Sequence, residues 1–120
     1  MDTPKIFDSE YRFCLILWEH EPVNSTRLVE LCKKQLGWSK ATTYTVIRRL
    51  AERGVVKNEN ATVTSLVSKA QAQEAELDAL VERTFEGSLP AFLAAFCRSK
   101  KLSPTEVKQL QQLIDDHKEE

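Results

Sequence analysis

Apolar residues recur at spacings of three and four along the first part of the chain, which predicts two short amphipathic helices. The first extends from a cap at Ser9 to about His20, and the second begins at Asn24 or Ser25 and ends at Gly37. Their inward stripes contain Phe13, Ile16 and Leu17, then Leu28, Leu31, Cys32 and Leu36. Proline at position 22 separates the two helices, because it cannot continue a helix.

A third helix is predicted between a cap at Ser39 and Gly54, in the stretch WSKATTYTVIRRLAERG. Its inner stripe contains Thr43, Val46, Ile47 and Leu50. Residues 37–39 alone separate it from the second helix, and so short a connection forms a helix-turn-helix with the outer side of the later helix free. That side carries hydroxyls, one aromatic ring and cations, with no acid before Glu52. Such a surface suits a DNA major groove.

The hydrophobic period changes after Gly54. Residues 55–57 and 62–64 are rich in branched side chains, and the polar residues 58–61 lie between them, which predicts a short β-hairpin. Three helices followed by a hairpin make a winged helix. We therefore predict a mainly α protein in which residues 1–67 form a winged helix-turn-helix DNA-binding domain.

Residues 68–120 return to helical spacing and are predicted to form a helical dimerisation domain. Capping boxes at Ser68 and Ser103, and a start at Ser88, mark three helices. The expected dimer contacts are Leu77, Leu80, Val81, Phe85, Phe92, Phe96, Val107, Leu110, Leu113 and Ile114. So short a segment buries too little surface alone. Its apolar faces could fold back on the winged helix, but we expect a second copy to cover them in a two-fold homodimer.

Charge is segregated along the chain, although the total is only −1. Residues 27–58 carry eight cations against two acids, while residues 1–26 have a net charge of −3 and residues 59–94 one of −4. A local excess of cations supplies the attraction to phosphates that DNA binding needs, whatever the total charge. Double-stranded DNA is therefore the predicted partner.

Nine residues on or beside the third helix are candidates for DNA contact: Ser39, Lys40, Ala41, Thr42, Tyr44, Thr45, Arg48, Arg49 and Arg53. The long cations Lys40, Arg48 and Arg53 are assigned to phosphates, and Ser39 to a phosphate at the helix start. Three side chains nearer the start of the helix, Thr42, Tyr44 and Thr45, are assigned to base edges and thymine methyls. Arg49 either contacts DNA or pairs with an acid inside the domain.

Composition and motifs argue against an enzyme or a membrane protein. A chain of 120 residues with 42% hydrophobic content suits a small helical binder. The longest apolar run has six residues, and the N-terminus lacks an export leader, so a cytoplasmic protein without membrane insertion is expected. His20 and His117 lie in different modules, where solvated or helix-capping roles are expected. No cofactor or metal is predicted, and the three cysteines are expected to be buried small hydrophobes.

Three stretches, SEYRFCLILW, WSKATTYTVIRRLAERGVV and KLSPTEVKQLQQLI, resemble the penicillinase and methicillin-resistance repressor family, the BlaI/MecI/CopY group. The matching positions in the third helix are Trp38, Ser39, Thr42, Thr45, Arg49, Leu50 and Gly54. The resemblance implies a homodimeric bacterial repressor with an N-terminal winged helix on a palindromic operator. It also implies release through a membrane sensor protease pathway that cleaves the dimerisation region in characterised relatives.

The chain also departs from this family pattern. Ala41 and Tyr44 stand where the penicillinase branch tends to carry lysine and arginine, so the base preference should differ. The hairpin is shorter and its tip lacks cations, so the wing should contribute little to phosphate binding. Ala95-Phe96 replaces the Asn-Phe cleavage pair, which argues against that cut, and the ending HKEE lacks the cysteines of the copper-responsive branch.

The alternative function is a winged-helix adaptor whose third helix docks on another protein without sequence-specific DNA binding. Ionic strength separates the two functions. Binding to phosphates through several cations weakens steeply as salt rises, whereas docking in an apolar groove does not.

Overall fold

The computed structural model describes residues 3–118, in which six helices accompany a small antiparallel sheet. The elements are α1 (Asp8–His20), β1 (Val23–Asn24), α2 (Ser25–Leu36), α3 (Lys40–Glu52), β2 (Val56–Glu59), β3 (Thr62–Ser65), α4 (Lys69–Phe85), α5 (Leu89–Ser99) and α6 (Pro104–Asp116). They confirm the predicted mainly α winged-helix fold. The chain divides into two compact units between Leu77 and Asp78. Within residues 3–118, no helix has the length and apolarity needed to cross a membrane.

The core of the first unit is built from α1, α2, α3 and the sheet. Its fully buried side chains include Phe13, Cys14, Leu17, Leu28, Cys32, Thr43, Leu50, Val55, Val56 and Val63. The inner stripe predicted for α3 is confirmed, because Thr43, Val46, Ile47 and Leu50 are all buried. This stripe fixes which side of α3 faces the protein and which side faces solvent.

Local signals set both ends of α2 and the start of α3 as predicted. The Asn24 side chain accepts a hydrogen bond from the Thr26 amide at 2.8 Å, and Gly37 ends α2 with a left-handed φ of 71°. The hydroxyl of Ser39 accepts from the Thr42 amide at 3.1 Å. The predicted cap at Ser9 is wrong, because α1 begins at Asp8 and the Glu10 carboxylate reaches back to the Phe7 amide at 2.9 Å.

The wing is a three-stranded sheet in which β3 lies between β1 and β2. Two residues with positive φ, Asn60 at 52° and Ala61 at 64°, join β2 to β3, as in a type I′ turn. The predicted four-residue connection is therefore too long, because Asn58 and Glu59 continue β2 and pair with β3. Polar residues resembled a loop here because most of β2 faces solvent. Strand β1 was not predicted, since two residues show no alternation of polarity.

The starts of α4, α5 and α6 agree with the sequence signals. Ser68 and Gln71 form a capping box, with the Ser68 amide donating to Gln71 Oε1 at 2.8 Å. Ser88 accepts from the Ala91 amide at 3.1 Å. Ser103 and Glu106 form the second capping box, whose bonds from the Ser103 amide and hydroxyl lower the pKa of the Glu106 carboxyl. The three predicted helix starts are confirmed.

The residues predicted to form the dimer contact differ in their exposure. Leu77, Phe96, Val107, Leu110, Leu113 and Ile114 are exposed, whereas Leu80, Phe85 and Phe92 are half-buried. The rings of Phe85 and Phe92 contact each other at a centroid distance of 5.6 Å, so part of their surface is already covered. Val81 is buried, with 9% of its surface exposed, so it offers little surface in the single chain, and its place in the dimer contact stays a prediction.

The cysteines divide into two groups. Cys14 and Cys32 are buried as expected, and burial raises the pKa of their thiols to about 12 and about 11, respectively. Both remain protonated at neutral pH and act as small core side chains. Cys97 on α5 is exposed, so the expectation that all three cysteines are buried is wrong.

Candidate nucleic-acid interface

The solvent side of α3 is the candidate interface. With about 3.6 residues per turn, the side opposite the buried stripe is centred on Ala41, Thr45, Arg48 and Glu52. We define the α3 outer face as Lys40, Ala41, Thr42, Thr45, Arg48, Arg49 and Glu52. All of these residues are exposed except Thr45, which is half-buried. Six of the nine predicted contact residues therefore lie together on one accessible helix surface.

At the start of α3, backbone amides can bind a ligand, but the hydroxyl of the capping residue is already hydrogen-bonded within the helix. Ser39 Oγ accepts from the Thr42 amide and donates to Thr42 Oγ1 at 3.0 Å, so this hydroxyl serves the helix rather than a phosphate. The amides of Lys40 and Ala41 belong to the first turn, where the helix offers them no carbonyl partner. Together with the positive end of the helix dipole, they can bind an anion.

Tyr44 lies on the flank of α3 next to α2. Its ring is half-buried and packs against the core, and its hydroxyl lies 3.3 Å from Oγ of the buried Ser25. This distance is long for a hydrogen bond between hydroxyls, so the contact is weak. The structure nevertheless gives Tyr44 a packing role between α2 and α3. Its assignment to a base edge stays a prediction.

The ion pair that the sequence allowed for Arg49 is formed by Arg53 instead. The Arg53 guanidinium donates to the Glu10 carboxylate, whose side chain is only 7% exposed, and it lies 5.3 Å from the centre of the Phe7 ring. Arg49 is exposed and takes part in no ion pair within residues 3–118. Sequence spacing could not reveal this, because Glu10 and Arg53 are 43 residues apart. Arg53 therefore joins the end of α3 to the start of α1.

The Glu10 carboxylate is held in its charged form. Burial alone would raise its pKa, but hydrogen bonds from Arg53 and the Phe7 amide, with the charges of Arg53 and Arg49, lower it below 4.5 overall. A group whose pKa is lower in the folded state stabilises the fold above its unfolded value. That contribution disappears as the pH falls through the lower folded value.

Replacing Glu10 with glutamine is expected to reduce the free energy of unfolding by about 1–3 kcal/mol at pH 7, because Arg53 loses a charged partner. The difference from wild type should shrink as the pH falls below the ordinary value of the carboxyl and should be lost once the pH passes the lowered pKa of Glu10 in the folded protein. Urea unfolding at pH 7 and pH 3 measures both quantities. Glu19→Gln, at an exposed position of α1, is the matched control. An equal loss at both pH values would contradict this account of Glu10.

Most cations of the basic segment 27–58 point to solvent without a carboxylate partner. Arg27 pairs with Glu30 at 3.0 Å and Lys57 with Glu59 at 3.6 Å, in addition to the Arg53 pair. In the part of the chain that the structure describes, this leaves five unpaired, exposed cations in the segment: Lys33, Lys34, Lys40, Arg48 and Arg49. The wing cation is neutralised locally, so the available positive charge belongs to α2 and α3.

Known proteins share both the sequence pattern and the fold. The family model described as penicillinase repressor matches residues 6–116. The penicillinase repressor of Bacillus licheniformis is 24% identical over 96% of this chain and 93% of its own length. A 16.5 kDa protein from the ptsI 3′ region of Latilactobacillus sakei is 32% identical over 94% of this chain and 80% of its own length.

Among solved structures, this chain is similar to the monomeric form of Bacillus licheniformis BlaI, determined in solution in complex with the blaP half-operator. The match has a TM-score of 0.52 and 24% identity, and it covers 59% of this chain and 93% of that one. It independently supports the winged-helix fold. Because the family model spans nearly the whole chain, this protein belongs to the penicillinase repressor family.

Proposed function

We propose that this protein is a sequence-specific DNA-binding transcriptional repressor that acts as a homodimer on a palindromic operator. The observation that carries the proposal is the α3 outer face, which presents two threonines and three cations that have no ion-pair partner among residues 3–118, all on one accessible helix surface. The family is named for repressors, and a similar winged helix was determined with a half-operator. These observations favour DNA over an apolar protein groove as the partner of α3.

The geometry of α3 suits insertion into the major groove. Ala41 and Thr45 are short residues on the central line of the α3 outer face, so the helix backbone can approach the bases closely. Lys40 and Arg49 lie on opposite flanks, where the phosphates border the groove. The free amides of Lys40 and Ala41 add a phosphate site at the helix start. Thr42 and Thr45 remain the proposed contacts for base edges and thymine methyls.

The homodimer is supported by the exposure of α6. Every residue of this helix is exposed in the single chain, including the apolar stripe of Val107, Leu110, Leu113 and Ile114. An isolated helix of 13 residues is marginal in water, and a contiguous apolar stripe of this kind marks an interaction surface. Helix α5 exposes further large side chains, Leu89, Leu93 and Phe96. A second copy would cover these surfaces with two-fold symmetry.

Catalysis is not proposed for this chain. Both histidines bond to backbone carbonyls of their own helices, His20 to Ile16 at 2.9 Å and His117 to Leu113 at 2.8 Å. In each histidine, one ring nitrogen is thus engaged in a hydrogen bond at the end of its helix. They support a binding protein rather than an enzyme.

Release of the operator is proposed to use a signal other than cleavage at an Asn-Phe pair. The matching position in α5 is Ala95-Phe96, which lacks the amide side chain of that pair. Cleavage within a helix would in addition require local unfolding of α5. A membrane sensor protease pathway, implied by the resemblance, would therefore need to act at another place in this chain.

Selection of bound fragments from random DNA tests the proposed function. We expect an enriched palindrome whose affinity falls about 10³-fold or more between about 50 and 200 mM salt, because the dimer neutralises several phosphates. Lys40→Ala should lower the salt slope by about one unit for each phosphate that is no longer neutralised, with similar losses of affinity on all sequences. Lys108→Ala, at an exposed position of α6, is the matched control. The adaptor function would instead give no enrichment and little dependence on salt.

A further inference from the structure

Arg48 holds the central position among the long side chains of the α3 outer face. It is exposed, and in residues 3–118 it takes part in no ion pair, so its guanidinium donors are free. The helical period places it on one line with Ala41, Thr45 and Glu52, opposite the buried stripe of α3. The other two exposed cations of α3, Lys40 and Arg49, lie about a quarter turn to either side of this line.

The neighbours of Arg48 on this line favour base contact over phosphate contact. Ala41 and Thr45 are short and precede Arg48 by one to two turns, so they let the helix sit deep in a groove. Glu52 follows one turn later and is exposed. Its carboxylate would repel a phosphate, so an orientation in which this side of α3 faces the DNA backbone is disfavoured. The line that contains Arg48 therefore faces the floor of the groove.

Two other long side chains near the end or the flank of α3 make contacts within the protein. The Tyr44 hydroxyl lies against Ser25, and the Arg53 guanidinium is engaged by Glu10. Arg48 is thus left as the long donor that projects freely from the centre of the α3 outer face.

We propose that Arg48 determines sequence specificity by recognising a guanine in each operator half-site, with its guanidinium donating to N7 and O6 in the major groove. Arginine forms this bidentate contact with guanine more often than any other specific contact in protein–DNA complexes. The proposal rests on the proposed function and revises the phosphate role that side-chain length alone suggested for Arg48. It gives the operator a feature that can be tested: one guanine per half-site read by α3.

The test replaces each guanine of the selected operator in turn with 7-deazaguanine, which lacks the N7 acceptor. Binding is measured for the full wild-type chain, for Arg48→Ala and for Arg49→Ala as the matched control. Wild type should lose about fivefold or more in affinity at one guanine per half-site. Arg48→Ala should be insensitive to 7-deazaguanine at that position. Arg49→Ala, which removes a proposed phosphate contact, should bind all probes more weakly but lose the same factor in affinity as wild type at the same guanine. Thermal unfolding of both variants shows that the fold is intact.

Two results would overturn the assignment. Arg48→Ala could weaken all sequences equally, lower the salt slope and keep the wild-type sensitivity to 7-deazaguanine, in which case Arg48 binds phosphate. Wild type could also be insensitive at every guanine of an operator that it does select, in which case another side chain determines specificity. A wild-type chain that enriches no sequence at all refutes the proposed function itself, so the two failures are distinguishable.

Discussion

Replacing both Leu110 and Ile114 with aspartate is expected to convert the protein to a monomer and to weaken operator binding by about 100-fold or more. The two side chains lie on the exposed apolar stripe of α6, with 39% and 57% of their surfaces accessible in the single chain. Unpaired carboxylates in a dry interface cost several kcal/mol, comparable to the margin of a typical dimer. A monomer also loses the high effective concentration of the second α3 at the second half-site.

Sedimentation velocity and operator titration measure the two effects of this double substitution. Gln112→Glu is the matched control, because it adds negative charge to α6 on the side away from the stripe. The control should remain dimeric and bind the operator nearly as wild type. An unchanged dimer in the double variant would refute the α6 interface, whereas a monomer with undiminished operator affinity would refute the two-fold arrangement on DNA.

Replacing Leu50 with alanine is expected to lower the free energy of unfolding of the first unit by about 3–5 kcal/mol. Leu50 is fully buried in the stripe of α3, so its truncation leaves a cavity beneath the candidate interface. Both tryptophans of the chain, Trp18 and Trp38, belong to the first unit, where Trp18 donates to the Val67 carbonyl at 2.9 Å and Trp38 stacks on Phe13. Their fluorescence during urea unfolding therefore reports on this unit.

Leu15→Ala is the control for the cavity at Leu50. Truncating Leu15 removes the same side-chain atoms, but 42% of its surface is already exposed on α1. It should cost less than about 1 kcal/mol, since little apolar surface leaves contact with the core. Equal losses of stability for the two variants would show that α3 is not anchored through its inner stripe.

The start of α3 and the side that it turns to solvent were predictable from the sequence, because both depend on local signals. The Ser39 cap, the αL glycine at position 37 and the spacing of Thr43, Val46, Ile47 and Leu50 act within a few residues, so the sequence contains them in full. The same holds for the capping boxes at Ser68 and Ser103. The Ser39 cap and the inner stripe decide which side chains of α3 reach solvent.

Details that depend on contacts between distant segments were not predictable from the sequence. Arg49 and Arg53 are one helical turn apart near the end of α3, and only the folded chain shows that Glu10 pairs with Arg53. The packing of Tyr44 on α2 likewise depends on the crossing of two helices. The turn at Asn60 and Ala61 was obscured because a solvent-facing strand has the polarity of a loop.

Amide chemical shifts in the ¹⁵N-labelled chain of 120 residues show whether the α3 outer face binds operator DNA. On titration with the selected operator, we expect the largest changes at Lys40, Ala41, Thr42, Thr45 and Arg48, and much smaller ones along α6. If the shifts of these α3 amides stayed unchanged at saturating operator while those of other parts of the chain moved, α3 would not be the DNA-binding helix.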